Sequence, residues 1–251
     1  MACRRGVKGS MQPPIRLSQV TKYYGDFPAL QDVNFEIQSG EVVGLLGLNG
    51  AGKTTCLRLL TGFLTPSDGL LEVDGENVAE NPLSIRSKLG YLPEVPPLYL
   101  ELTVHDYLHF VARLRGVSES SFAAEFDRVV ERTNLQPARR SLIRHLSLGF
   151  RKRVGIAQAL IGNPSILIFD EPVSGLDPRQ IVEVRNLIRD LAGQHTILIS
   201  SHILTEVSRT CDRVLILHQG KMVASLEGQK LENDLETEFM KHTTGEVEVG
   251  V

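Results

Sequence analysis

Residues 47–54, Gly47-Leu48-Asn49-Gly50-Ala51-Gly52-Lys53-Thr54, have the types and spacing of a phosphate-binding loop. Gly47, Gly50 and Gly52 let the backbone wrap phosphate oxygens closely and aim its N–H groups at them. A helix opening near Lys53 adds the positive end of its dipole. Lys53 supplies a point charge for the terminal phosphates, and the Thr54 hydroxyl is a ligand for magnesium. With Thr55 completing the turn, the pattern implies binding of a nucleoside triphosphate.

Two further groups could act on that triphosphate. Ile166-Leu167-Ile168-Phe169 is an apolar run that ends in Asp170-Glu171. Carboxylates at the carboxyl end of a buried parallel strand lie where open α/β sheets bind ligands. Asp170 there would hold magnesium, and Glu171 would polarise the attacking water as general base. The same pair also suits a helix N-cap, which the phosphate loop makes the lesser reading. His202 follows the apolar run Thr196–Ser200, which is expected to neighbour the Glu171 strand, so its imidazole could reach the γ-phosphate and orient the water. His195 and His218 are expected to be surface residues.

The elements that must place these groups follow from hydrophobic pattern. Glu41 to Leu46 reads as a buried strand before the loop, and Thr55 to Leu60 has the apolar spacing of a helix after it. Ile15 to Ile37 reads as an antiparallel strand pair turning near Gly25-Asp26, with short strands at 70–73 and 89–92. Pro93-Glu94-Val95-Pro96-Pro97 is a hinge or extended connector. Beyond it come three helical patterns, the first capped by Thr103 and the third by Ser147. The apolar runs at 166–169, 196–199 and 214–217 alternate with helices, as in a mainly parallel sheet buried on both faces. The expected organisation is a disordered extension over 1–13, an α/β core over 14–94 and 161–225, an inserted helical subdomain over 95–160, and a short polar tail over 226–251 with one short helical candidate carrying Leu235, Phe239 and Met240. Met11 is an alternative start.

Composition narrows the class. The chain has 251 residues, 42% hydrophobic and 23% charged, values of a globular protein. A formal charge of −3 gives no electrostatic case for nucleic acid. Arg151-Lys152-Arg153 is read as a solvated helix face. Three cysteines without metal-ligand spacing suit a reducing compartment. No apolar run approaches the roughly 20 residues of a spanning helix, and the basic N-terminus lacks the apolar core of a secretory signal.

Taken together, these motifs resemble the ATPase subunits of ATP-binding cassette (ABC) transporters over nearly the whole chain. In that resemblance 47–54 is the Walker A loop, Ile166–Glu171 the Walker B strand with its catalytic glutamate, Ser174-Gly175-Leu176-Asp177 the D-loop, and His202 the switch histidine. Leu146-Ser147-Leu148-Gly149-Phe150 stands where the family has its signature, most often Leu-Ser-Gly-Gly-Gln. Tyr24 stands where an aromatic ring stacks on adenine. The resemblance implies a P-loop NTPase core with an antiparallel β subdomain and an inserted helical one. It also implies ATP and Mg2+ as cofactors, and a head-to-tail pair of cassettes, homodimeric or formed with another ATPase subunit, around two ATPs. A separate integral membrane permease would be the partner, placing the chain peripherally on the cytoplasmic face of the plasma (inner) membrane. Ser147 and Gly149 would act in trans, because Ser147 can cap its helix and form an anion site with the adjacent N–H groups. Glu94 replaces the usual glutamine, and Leu148 and Phe150 replace glycine and glutamine. These variants and Tyr91-Leu92-Pro93-Glu94 look like the export-type bacterial branch. A regulatory ATP-dependent module is favoured only by Glu94. DNA-repair relatives carry a long coiled coil that 95–160 cannot hold, and translation relatives carry two cassettes per chain.

Overall fold

Val, Ile and Leu runs of four to six residues leave no polar face, so the strands they form need cover on both sides. The computed structural model describes residues 12–243, and among these five such strands and a more polar sixth form the central sheet. β3 (Val42–Leu46) enters the phosphate loop, and α1 (Lys53–Leu60) leaves it. β6 (Leu89–Leu92), β7 (Ile166–Asp170), β8 (Thr196–Ser201) and β9 (Arg213–His218) complete the parallel part, and β10 (Lys221–Glu227) pairs antiparallel with β9. The order is β10-β9-β3-β8-β7-β6. Alternation along each strand divides the core in two. Val43, Leu45, Ile166, Ile168, Leu198, Leu215 and Leu217 face one cluster. Val42, Leu46, Leu167, Phe169, Ile197, Ile199, Val214 and Ile216 face the other.

The first cluster is closed by α1 and by an antiparallel sheet, β2-β1-β4-β5, of β1 (Ile15–Tyr24), β2 (Phe27–Ile37), β4 (Asp68–Val73) and β5 (Glu76–Asn77). A short helix, α2 (Pro82–Lys88), leads into β6. The second cluster is covered by α5 (Leu148–Leu160), α6 (Pro178–Leu191) and α7 (Leu204–Thr210), with α3 (Val104–Leu114) and α4 (Glu119–Arg132) packed on α5. Thr103 caps α3 by accepting from the Asp106 amide, and Ser147 caps α5 through the Phe150 amide.

Three expectations need correction. The short helical candidate in the polar tail is a longer helix: α8 (Gly228–Thr243) packs on β9 and β10 and buries Leu231, Leu235 and Phe239. The i, i+4, i+8 spacing turns those three inward, whereas Met240 is exposed. His195 is not a surface residue; it is buried, its Nδ1 lies 2.7 Å from the Pro164 carbonyl, and burial lowers its pKa. Nor is 151–153 a solvated face, because Lys152 is buried and Arg153 pairs with Glu183. The extension expected over 1–13, apart from residues 12 and 13, and the alternative start at Met11 lie outside the described residues, as do 244–251 of the tail. Cys56 and Cys211 are buried free thiols, and burial pushes the Cys56 pKa up to about 12.

Candidate active site

The loop between β3 and α1 is shaped by its glycines. Gly50 and Gly52 have φ of 82° and 107°, in the left-handed region, and a Cβ at Gly52 would come within 2.7 Å of the Ala29 carbonyl oxygen. Lys53, buried at the start of α1, donates from Nζ to the Gly47 carbonyl at 2.8 Å and the Leu48 carbonyl at 3.2 Å.

Parallel register carries the carboxylates toward this loop. β8 lies between β3 and β7, pairing Leu46 with Ser201 and Asp170 with Ser200. Glu171 is only 6% exposed and takes a φ of 47°, uncommon for a residue with a side chain. Its amide donates to the Ser200 hydroxyl at 3.0 Å. One carboxylate oxygen lies 2.9 Å from His202 Nδ1, and the other lies 3.6 Å from Lys53 Nζ. A buried acid is thus held between an imidazole and an ammonium, with its backbone rotated out of the strand.

Asp170 is buried behind it, and its Oδ1 accepts from the Ser200 hydroxyl at 2.5 Å. Burial raises its pKa, opposed by the Ser200 bond. A cation beside it would offset that burial. No group of three or more His, Cys, Asp or Glu among the described residues could hold a metal unaided. Thr54, Asp170 and Glu94 offer hard oxygen donors of the kind magnesium takes when a triphosphate supplies further oxygens. The residues fit a magnesium–nucleotide complex rather than a free-standing metal site.

A cleft of about 400 Å³ collects Tyr24, Leu48, Asn49, Gly50, Gly52, Lys53, Thr54, Thr55, Glu94, Glu171 and His202. Gly47 and Ala51 are buried in the loop's base instead. Ala51 accepts there from the Gly220 amide at 3.0 Å. Ser147, Gly149 and Asp177 do not reach the cleft. Asp177 caps α6 through the Gln180 amide at 2.9 Å, and the Gln180 side chain packs against Gly149. The start of α5 therefore packs against the start of α6, with Ser147 exposed and Gly149 buried beneath Gln180. Sequence reasoning missed two residues: Phe27, which is paired with Tyr24 across the β1–β2 turn and lines the cleft, and Lys152. The aromatic type beside Tyr24 was a signal for the first. A lysine in a basic run gave none for the second.

A phosphate loop joining a buried parallel strand to a helix, faced by carboxylates from the same sheet edge, defines a P-loop nucleoside triphosphatase. The chain belongs to the ABC transporter family, whose family model, described as ABC transporter, matches residues 30–174. It is the subunit that binds and hydrolyses ATP. The bacitracin transport ATP-binding protein BcrA of Bacillus licheniformis is 39% identical over 218 residues, covering 86% of this chain and 70% of that protein. A solved ATP-binding subunit of an ABC transporter superposes with a TM-score of 0.81 at 30% identity, over 91% of this chain and 99% of that one. A dimeric bacterial ABC transporter cassette superposes with a TM-score of 0.77 at 25% identity, over 85% and 98%.

Proposed function

We propose that this cleft hydrolyses ATP with Glu171 as general base, and that the energy drives export through a separate membrane permease. The observation that carries the reading is the Glu171 carboxylate held between His202 and Lys53 at the mouth of the phosphate loop. Tyr24 offers a half-exposed ring at the cleft's outer end for adenine. The loop amides and Lys53 hold the phosphates, while Thr54, Asp170 and Glu94 would hold a magnesium ion, whose charge would offset that developing on the phosphates. Glu171 takes the proton of the attacking water. His202, hydrogen-bonded through Nδ1, leaves Nε2 to orient the γ-phosphate.

The signature supports a two-cassette arrangement. Ser147 and Gly149 open α5 outside their own chain's cleft, so their donors serve a nucleotide held by a second cassette, a copy of this chain or a paired subunit. Among the described residues no helix is long and apolar enough to cross a membrane. The membrane passage belongs to the permease, on whose cytoplasmic face this subunit sits. The domain division follows the same logic, with 95–160 as the helical subdomain and the flanking segments as the nucleotide-binding core.

Steady-state phosphate release by purified protein with ATP and magnesium tests the base assignment. Glu171→Gln should keep nucleotide affinity and lose turnover by on the order of a hundredfold or more. Undiminished turnover in that variant removes Glu171 from the chemistry, and absent turnover in the wild type favours a regulatory module.

A further inference from the structure

Lys152 is the buried cation that the reaction scheme above leaves unused. It lies on α5 with 3% of its surface exposed. Its Nζ donates to the Glu94 carbonyl at 2.6 Å and the Glu171 carbonyl at 3.1 Å. Burying an ammonium is unfavourable without compensation. Desolvation lowers the Lys152 pKa, and the Glu94, Asp170 and Glu171 charges oppose that. The two carbonyls it binds belong to the connector after β6 and to the peptide of the base. Glu94 stands in the connector Pro93-Glu94-Val95-Pro96-Pro97 that leaves β6. Glu171 holds a left-handed φ, a conformation that surrounding contacts must maintain. On its amide side those contacts are the Ser200 hydroxyl and carbonyl. On its carbonyl side the contacts are the Ser174 amide at 3.2 Å, which closes the turn after the strand, and Lys152, the one side chain that reaches it from a helix.

We propose that Lys152 is a positioning residue, a cationic clasp that fixes the peptide carrying Glu171 to the connector at Glu94 and so aims the carboxylate at the attacking water. The side chain touches neither phosphate nor water in this scheme; it acts through the main chain of the base. The clasp also means that a shift of α5 or of the connector relative to the sheet reaches the base directly, since both carbonyls share one ammonium. The proposal rests on the reading of Glu171 as base.

The test uses Lys152→Met, which keeps the aliphatic stem and removes the charge, and Lys152→Gln, which keeps a shorter neutral donor. Glu171→Gln is measured alongside. Lys152→Met should lower kcat by on the order of tenfold to a hundredfold, the size of effect that small misplacement of a reacting group produces, with KM and ATP affinity within about twofold of wild type. Lys152→Gln, able to reach one carbonyl, should be slowed less, about threefold to tenfold, and remains the readout if the methionine variant does not fold. Wild-type kcat in either folded variant overturns the proposal. So does a raised KM with kcat intact, which would be a binding role, or equal slowing of both variants in step with lost melting temperature, which would be a packing role. If Glu171→Gln turns over like wild type, the base assignment itself fails. If Glu171→Gln is inactive while Lys152→Met is not slowed, only the clasp fails.

Discussion

Tyr24 and Glu94 show how one side chain's chemistry can be separated from its packing. The Tyr24 ring is 45% exposed in the cleft, so it offers a stacking face rather than core contact. Tyr24→Ala should weaken ATP binding by about 1–3 kcal/mol, and Tyr24→Phe should change it little, because stacking needs no hydroxyl. Calorimetric titration checks this, with a melting curve without nucleotide as the control for packing; equal losses in both variants would indicate a hydrogen bond instead. Glu94 adds a negative charge beside Thr54, Glu171 and His202. Repulsion from the triphosphate should make ATP affinity steeper in magnesium than in Glu94→Gln. Titration of both proteins with ATP at several magnesium concentrations decides it, and coincident curves would place Glu94 outside the site's electrostatics.

Elements position these residues, and their close approaches carry the stability. β6 passes α5 at Gly90, where a Cβ would overlap the Ala159 carbonyl oxygen and come within 2.6 Å of Leu167 Cδ2. Gly90→Ala should therefore cost about 1–3 kcal/mol in urea unfolding, the usual range for overpacking. On α8, Leu235→Ala should cost about 2–5 kcal/mol, because Leu235 is 5% exposed against the sheet's second cluster. A loss under half a kilocalorie, about that of a surface change, would mean that α8 is not part of the folded unit. Here the reach of sequence reading becomes visible. The β3–loop–α1 unit, the apolar β7, β8 and β9, and the caps at Thr103 and Ser147 were legible because local pattern determines each. α8 was only partly legible, since its Glu- and Lys-rich surface hides an inward stripe that β9 and β10 define. His195 and Lys152 look like surface residues in sequence. Their burial depends on which distant carbonyls, those of Pro164, Glu94 and Glu171, the fold brings to them. That β8 neighbours the Glu171 strand was expected from the motifs, but its pairing on the other side with the loop strand has no signal within any single segment.

At the scale of the whole molecule, the cleft and the signature surface are two halves of different sites. Residues 48–50 and 52–55, Glu171 and His202 line the cleft, while the exposed Ser147 opens α5 beside the helix that Asp177 caps. An ATP bound only in the cleft meets no donors on its outer side from the signature of its own chain. A second cassette must therefore supply those donors, and hydrolysis must dissolve the pair. Sedimentation velocity on Glu171→Gln with ATP and magnesium is the most direct measurement. The expected result is a shift from monomer to dimer that is absent with ADP and lost when Ser147→Arg is added, because the arginine would fill the anion site from the partner's side. A Glu171→Gln protein that is saturated with ATP and still sediments as a monomer, or a dimer indifferent to Ser147, would contradict it.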